Sequence, residues 1–200
     1  MNKRNHKKQL KNLICAVVAE VQMDAGVCEQ STGVNMSYDF IQNRVYFDFY
    51  RVQEARLEMD DPVSLEQYIR SLTIHELGHA MDRETLLASM PRMIEIAKVK
   101  RKHSFTERKE RLDLFKTDID SHEMEIGFEE TAWKHAETLN RLYQIADWDS
   151  FHKVVAHSMK SYTKYYEKDL QTYRKLLIAA RIAEKDGVTA ATAEKDVLFS

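Results

Sequence analysis

Glycine and proline are scarce, 5 and 2 in 200 residues. Sandwiches and barrels need turn residues every few positions, so the shortage excludes them and leaves helix as the dominant element. Cysteine is scarcer still. Cys15 and Cys28 are too few for a disulfide framework, and a reducing cytosol suits them. A surplus of one charge is also missing: 30 basic against 32 acidic residues give a net charge of −2, which offers no electrostatic case for nucleic acid. The basic stretches at 2–8 and 98–103 read as solvated charge. No apolar run is long enough to span a membrane. "LICAVVA" (13–19) follows basic residues in the order of a signal peptide. However, Leu10, Leu13, Ile14, Val17, Val18 and Val21 fall on one helical stripe, and Glu20 breaks the run. The expectation is a cytoplasmic globular protein that opens on an amphipathic helix.

What is present after that helix is strand alternation. "VNMSYDF" (34–40) sets Val34, Met36, Tyr38 and Phe40 against polar neighbours, "VYFDFY" (45–50) repeats the pattern, and "QNR" between them reads as a hairpin turn. Val45, Phe47 and Phe49 are expected to face the core, with Tyr46 and Asp48 turned outward or towards a substrate. A helix then starts near "DDPVSLEQ", either at Asp61 before Pro62 or at Ser64 with Gln67 as a capping box. It runs through "YIRSLTIHELGHAMD". Beyond residue 83 everything reads as helix. Breaks are expected at Pro91 and Gly127, and a long stripe runs Phe151, Val155, Met159, Tyr162, Tyr166, Tyr173, Leu177, Ala180. The stripe reads as core or partner-helix packing, and residues 187–200 as a frayed tail.

The chemistry concentrates in "HELGH" (75–79). On a helix, residues four apart share a face, so His75 and His79 can both reach one metal ion. Glu76 is rotated by roughly 100° and can act as general base towards a water whose pKa the metal lowers. The alternative is a chance pair of histidines that caps or packs. Apolar neighbours Leu72, Ile74, Leu77 and Met81 weigh against it, because unpaired imidazoles are costly in such a setting. So does Gly78, a costly residue inside a helix that implies the close approach of another element. The preceding hairpin supplies the edge strand that an extended peptide substrate needs.

A catalytic zinc needs a third protein ligand. Asp82 and Thr85 stand where the extended metzincin pattern has Gly and His, and no Gly-Thr-x-x-Asp stretch follows. A later glutamate remains, in "EIGFEETAWKHAETL" (125–139). "HELGH" followed by Glu129-x-x-Ala132-x-x-x-Ala136 resembles the gluzincin-type metallopeptidases, and within them the ImmA/IrrE-type family. The resemblance covers about residues 8–146. It implies a minimal zincin-like α+β fold, one zinc ion per chain held by His75, His79 and Glu129, and Glu76 as the general base. The chain departs from that family in carrying His135 where a Phe is typical and in showing no helix-turn-helix module. Helix geometry separately favours Glu129 over Glu130. Phe128, Ala132, Trp133, Ala136, Leu139 and Tyr143 form one apolar face that includes Glu129, whereas Glu130 falls in line with Lys134, Glu137 and Arg141.

His135, His122 and Glu125 are substitute ligands, and His152, His157 or a tyrosine from 161–166 could stabilise an oxyanion. Cys28 lacks the flanking residues of a deformylase ligand. The expected architecture is α+β, with a zincin-like metallopeptidase domain (1–146) built on a small antiparallel sheet. A helical region (147–186) packs on it or on a partner, which allows a homo-oligomer, and the tail follows. The expected function is hydrolysis of a protein or peptide substrate, with no nucleic-acid or membrane partner. The rival is a zinc-binding scaffold of the same shape that holds a partner protein and cleaves little.

Overall fold

The structure, a computed structural model, describes the backbone of residues 3–197 and the side chains of residues 5–182. The fold is α+β: seven helices and three short strands among the described residues. The chain divides into two compact units, residues 1–92 with 124–162, and residues 93–123 with 163–200. The expected boundary at 146 and 147 falls inside the first unit, and the expected tail lies outside the residues with described side chains.

The first unit opens on α1 (Lys3–Glu20). Its stripe, Leu10, Ile14, Val17 and Val18, is buried together with Val21 just beyond it. Three strands follow: β1 (Gly26–Glu29), β2 (Met36–Asp39) and β3 (Arg44–Phe47). The expected hairpin exists, with β2 antiparallel to β3 and Met36 opposite Phe47. Asn43 closes its turn at φ 54°, a left-handed conformation that Asn tolerates. The sheet is nevertheless mixed, not antiparallel. β1 pairs parallel with β3, and the strand order is β1-β3-β2.

A second correction concerns residues 48–50. Alternation suggests strand through Tyr50, yet α2 (Phe49–Leu57) begins there. The buried Asp48 is its N-cap and accepts from the N–H groups of Tyr50 and Arg51 at 3.1 and 3.2 Å, and from Gly33. Those donors hold its carboxyl below the usual range against the opposing effect of burial. Asp48 therefore faces neither solvent nor substrate. Val45, Phe47 and Phe49 are buried as expected, Phe49 from the helix.

The motif helix, α3 (Leu65–Met81), starts where the Ser64 alternative puts it, with Ser64 Oγ accepting from Gln67 N–H at 3.2 Å. The capping box is half-formed, because the Gln67 side chain instead accepts from Asp147 N–H. Every residue from Ser71 to Gly78 is buried. A helix buried all round sits in the core, and α3 packs among α1, the sheet and the residues that follow.

The remaining helices are α4 (Arg83–Lys102), α5 (Phe105–Glu110), α6 (Leu112–Tyr143) and α7 (Trp148–Val197). Neither expected break occurs: Pro91 lies inside α4 and Gly127 inside α6. Gly costs a helix interior only about 1 kcal/mol, which the buried face of α6 offsets. In the second unit Phe115 and Ile119 form core. Lys109 stands 4.0 Å over the Phe115 ring and 2.6 Å from Asp169, while Arg108 bonds the buried Asp118 at 3.0 Å. Among the described residues no helix is long and apolar enough to cross a membrane.

Candidate metal centre

His75 and His79 reach inward from the last two turns of α3. Opposite them, Glu129 is set on α6 by the apolar face that the sequence outlines: Ala132, Trp133, Ala136 and Leu139 are all buried. Close approach of the two helices depends on Gly78, where a β-carbon would lie 2.1 Å from the Ala132 carbonyl oxygen. No other residue type fits that position without moving α6. The approach lets a short carboxylate reach both imidazoles.

His75 Nε2 lies 3.1 Å from Glu129 Oε2, and His79 Nε2 lies 3.4 Å from Glu129 Oε1. The three ligand atoms lie within 4.8 Å of one another, and this is the one group of its kind among the described residues. Glu129 Oε2 and His75 Nδ1 are buried without an aligned hydrogen-bond partner. Lone pairs of two imidazoles and a carboxylate aimed at one point repel unless a proton or a cation lies between them. Two nitrogens and one oxygen are also the ligand chemistry of a zinc site with an open position. The residues fit the ion.

The electrostatics agree with that fit. Burial pushes the Glu129 carboxyl up, but the two imidazoles facing it overcome burial and carry it down to about 2. Burial works against charge on His79, yet Glu129 and Glu76 outweigh it and raise the imidazole above its ordinary value. Burial dominates Glu76 and raises it above the usual carboxylate range. The two imidazoles work in the opposite direction, as does the backbone N–H of Tyr38, which faces its carboxylate.

That last contact locates the edge strand. Asp48 N–H donates to Asn35 O at 3.0 Å, so antiparallel alternation turns the backbone of Asn35, Ser37 and Asp39 towards β3 and that of Met36 and Tyr38 away. β2 is therefore the open edge facing the site. "VYFDFY" is not: β3 is paired on both sides, and the expectation that it presents backbone to a substrate is wrong. A cleft of about 520 Å³ runs beside β2 and includes His75, Glu76, His79 and Glu129 in its lining.

Other residues sort by place. Tyr162, half-buried on α7, lines the same cleft with its hydroxyl towards Glu129. Burial and the charge of Glu129 raise its pKa, which keeps it a proton donor. The sequence points to tyrosines of 161–166 as a set, and only the fold separates Tyr162 from exposed Tyr165 and from Tyr166, which bonds Glu123. Among the substitute ligands, Glu125 and the oxyanion candidate His157 line the cleft, His122 pairs with Asp169 at 3.2 Å in the second unit, and His152 stacks on Trp148. None of these, nor His135, joins the three-residue group. Glu130 is exposed. Trp133, placed by the sequence only in an apolar face, stacks on His75. Cys28 lies on β1 as a free thiol. No protein-family model, curated protein or solved structure matches the chain.

Proposed function

We propose that the chain is a zinc-dependent metallopeptidase of the His-Glu-x-x-His type, similar in plan to the gluzincins and among them to the ImmA/IrrE-type family. The observation that carries the reading is the convergence of His75, His79 and Glu129 within 4.8 Å, in a cleft that also holds Glu76. Bound zinc supplies Lewis acidity that polarises a carbonyl and brings the pKa of the attacking water towards neutrality. Glu76 takes the proton of that water and returns it to the leaving amine, roles for which a raised carboxyl pKa is suited. Tyr162 donates to the oxygen on which charge develops. The open edge of β2 favours a peptide over a small substrate, because it can receive an extended chain as an added strand.

Glu76→Gln separates binding from chemistry. The variant is expected to fold and keep about one zinc per chain, since Glu76 is not a ligand. Peptide hydrolysis should fall by roughly 10²–10⁴-fold, the usual contribution of a positioned acid–base group. Loss of zinc together with activity would overturn the role of Glu76. A wild-type protein that holds zinc and cleaves no peptide would favour the scaffold that binds a partner protein.

A further inference from the structure

A histidine that holds a metal is ordinarily oriented through its second ring nitrogen, which donates to a carboxylate, carbonyl or water. His75 departs from that pattern. Its Nδ1 is buried, and among the described residues nothing bonds it. The indole of Trp133 lies flat against the ring instead, with centroids 4.0 Å apart and planes within 19°. His79 has a different neighbour, the His75 ring itself, edge-on at 4.8 Å and 70°.

Trp133 is well placed to act through His75. It stands four residues after Glu129, hence on the same face of α6, so one helical turn supplies a ligand and a flat wall. The indole is itself fixed, 4 % exposed and edge-on to Phe151 at 5.8 Å. Mere filling of space does not explain an indole here. Its Nε1 is buried without a partner, a cost that Phe or Leu would avoid. The large electron-rich face is what remains to be explained. It becomes more favourable once the imidazole gives electron density to a cation, because the ring face then meets a partly positive partner.

We propose that Trp133 is a positioning residue of the metal centre, a stack that replaces the missing hydrogen bond and holds His75 Nε2 aimed at Glu129. The inference rests on the metal-site reading above. It predicts that a flat ring, and not volume alone, is required at position 133.

The test compares full-length Trp133→Phe, Trp133→Leu and Trp133→Met. Zinc affinity is measured by competition with a chelator, thermal unfolding of the metal-free proteins serves as the fold control, and the visible spectrum of bound Co²⁺ reports ligand geometry. Trp133→Phe should stay within about threefold of wild type and reproduce its Co²⁺ spectrum. The Leu and Met variants should lose about 10–100-fold, the loss typical of removing an outer partner of a ligand, and shift the Co²⁺ bands. A folded Leu or Met variant with wild-type affinity and spectrum overturns the proposal and leaves the metal site standing. Wild-type protein that binds neither metal overturns both. One measurement spares position 133: Trp148→Phe leaves Trp133 as the sole tryptophan, and zinc should change its emission. Unchanged emission at saturating zinc also overturns the stack.

Discussion

Glu129 and Glu130 are chemically identical neighbours, and one helical step of roughly 100° separates them. The apolar face of α6 was legible in the sequence, and it turns Glu129 inward and leaves Glu130 exposed. Glu129→Ala is therefore expected to weaken zinc binding by more than about 100-fold, beyond the range for outer partners, whereas Glu130→Ala should leave it unchanged. Equilibrium zinc titration of both variants decides this, and the reverse ranking would move the ligand by one residue. The same titration has a pH dependence of known sign. A zinc ion bound there would displace the proton of His79, whose value is raised above 6.5, so affinity should climb as pH rises through that raised value. In the metal-free protein, Glu129 titrates near 2 instead of 4.5. Its stabilisation is present above 4.5 and lost as pH falls towards 2. The raised His79 contributes below 6.5 and loses its contribution as pH rises through the folded value. Less was legible of Trp133 and Tyr162. A stack and a hydroxyl contact join residues far apart in the chain, and no local periodicity records them.

Among elements, those with a strong local signal were readable and those defined by distant pairing were not. The stripe of α1, the β2–β3 pair, the Ser64 cap and the face of α6 each follow from neighbours within a few residues. β1 carries no alternation, being exposed or half-buried throughout, and its parallel partner lies across a crossover. Without it β3 looks like an edge. α2 was hidden because Phe49 continues the strand alternation, and the decisive signal is the cap at Asp48. Two glycines give this scale its test. Gly127→Ala, on α6 with open space around a new β-carbon, should stabilise by up to about 1 kcal/mol through helix propensity. Gly78→Ala gains the same propensity, but the Ala132 carbonyl stands 2.1 Å from the new carbon. Overpacking of this kind costs about 1–3 kcal/mol or more, so the variant should unfold earlier and hold zinc weakly. Denaturant titration and zinc content are the readouts. A Gly78→Ala protein as stable and as zinc-loaded as wild type would show that the α3–α6 approach is dispensable.

Over the whole molecule, the candidate ligands all belong to the first compact unit, and this makes zinc a selective probe of stability. A ligand that binds only the folded form at about 100 times its Kd adds about 2.7 kcal/mol. In a chain of this length that is roughly 5–10 °C of melting temperature. Adding a chelator to zinc-loaded protein should reverse the gain. Glu129→Ala, which removes a candidate ligand, should show almost none. The change should also be local, because α3 and residues 124–143 carry the candidate ligands, and among the described residues 93–123 and 163–182 contribute none. Amide exchange followed with zinc and with chelator should therefore gain protection across α3 and residues 124–143, with exchange at 93–123 and 163–182 little altered. Two compact units need not unfold together, and if they melt separately only the transition of the first should move with zinc. A chelator effect spread evenly over both units would contradict a metal held by α3 and α6 alone. No effect on either would remove zinc from the account of this fold.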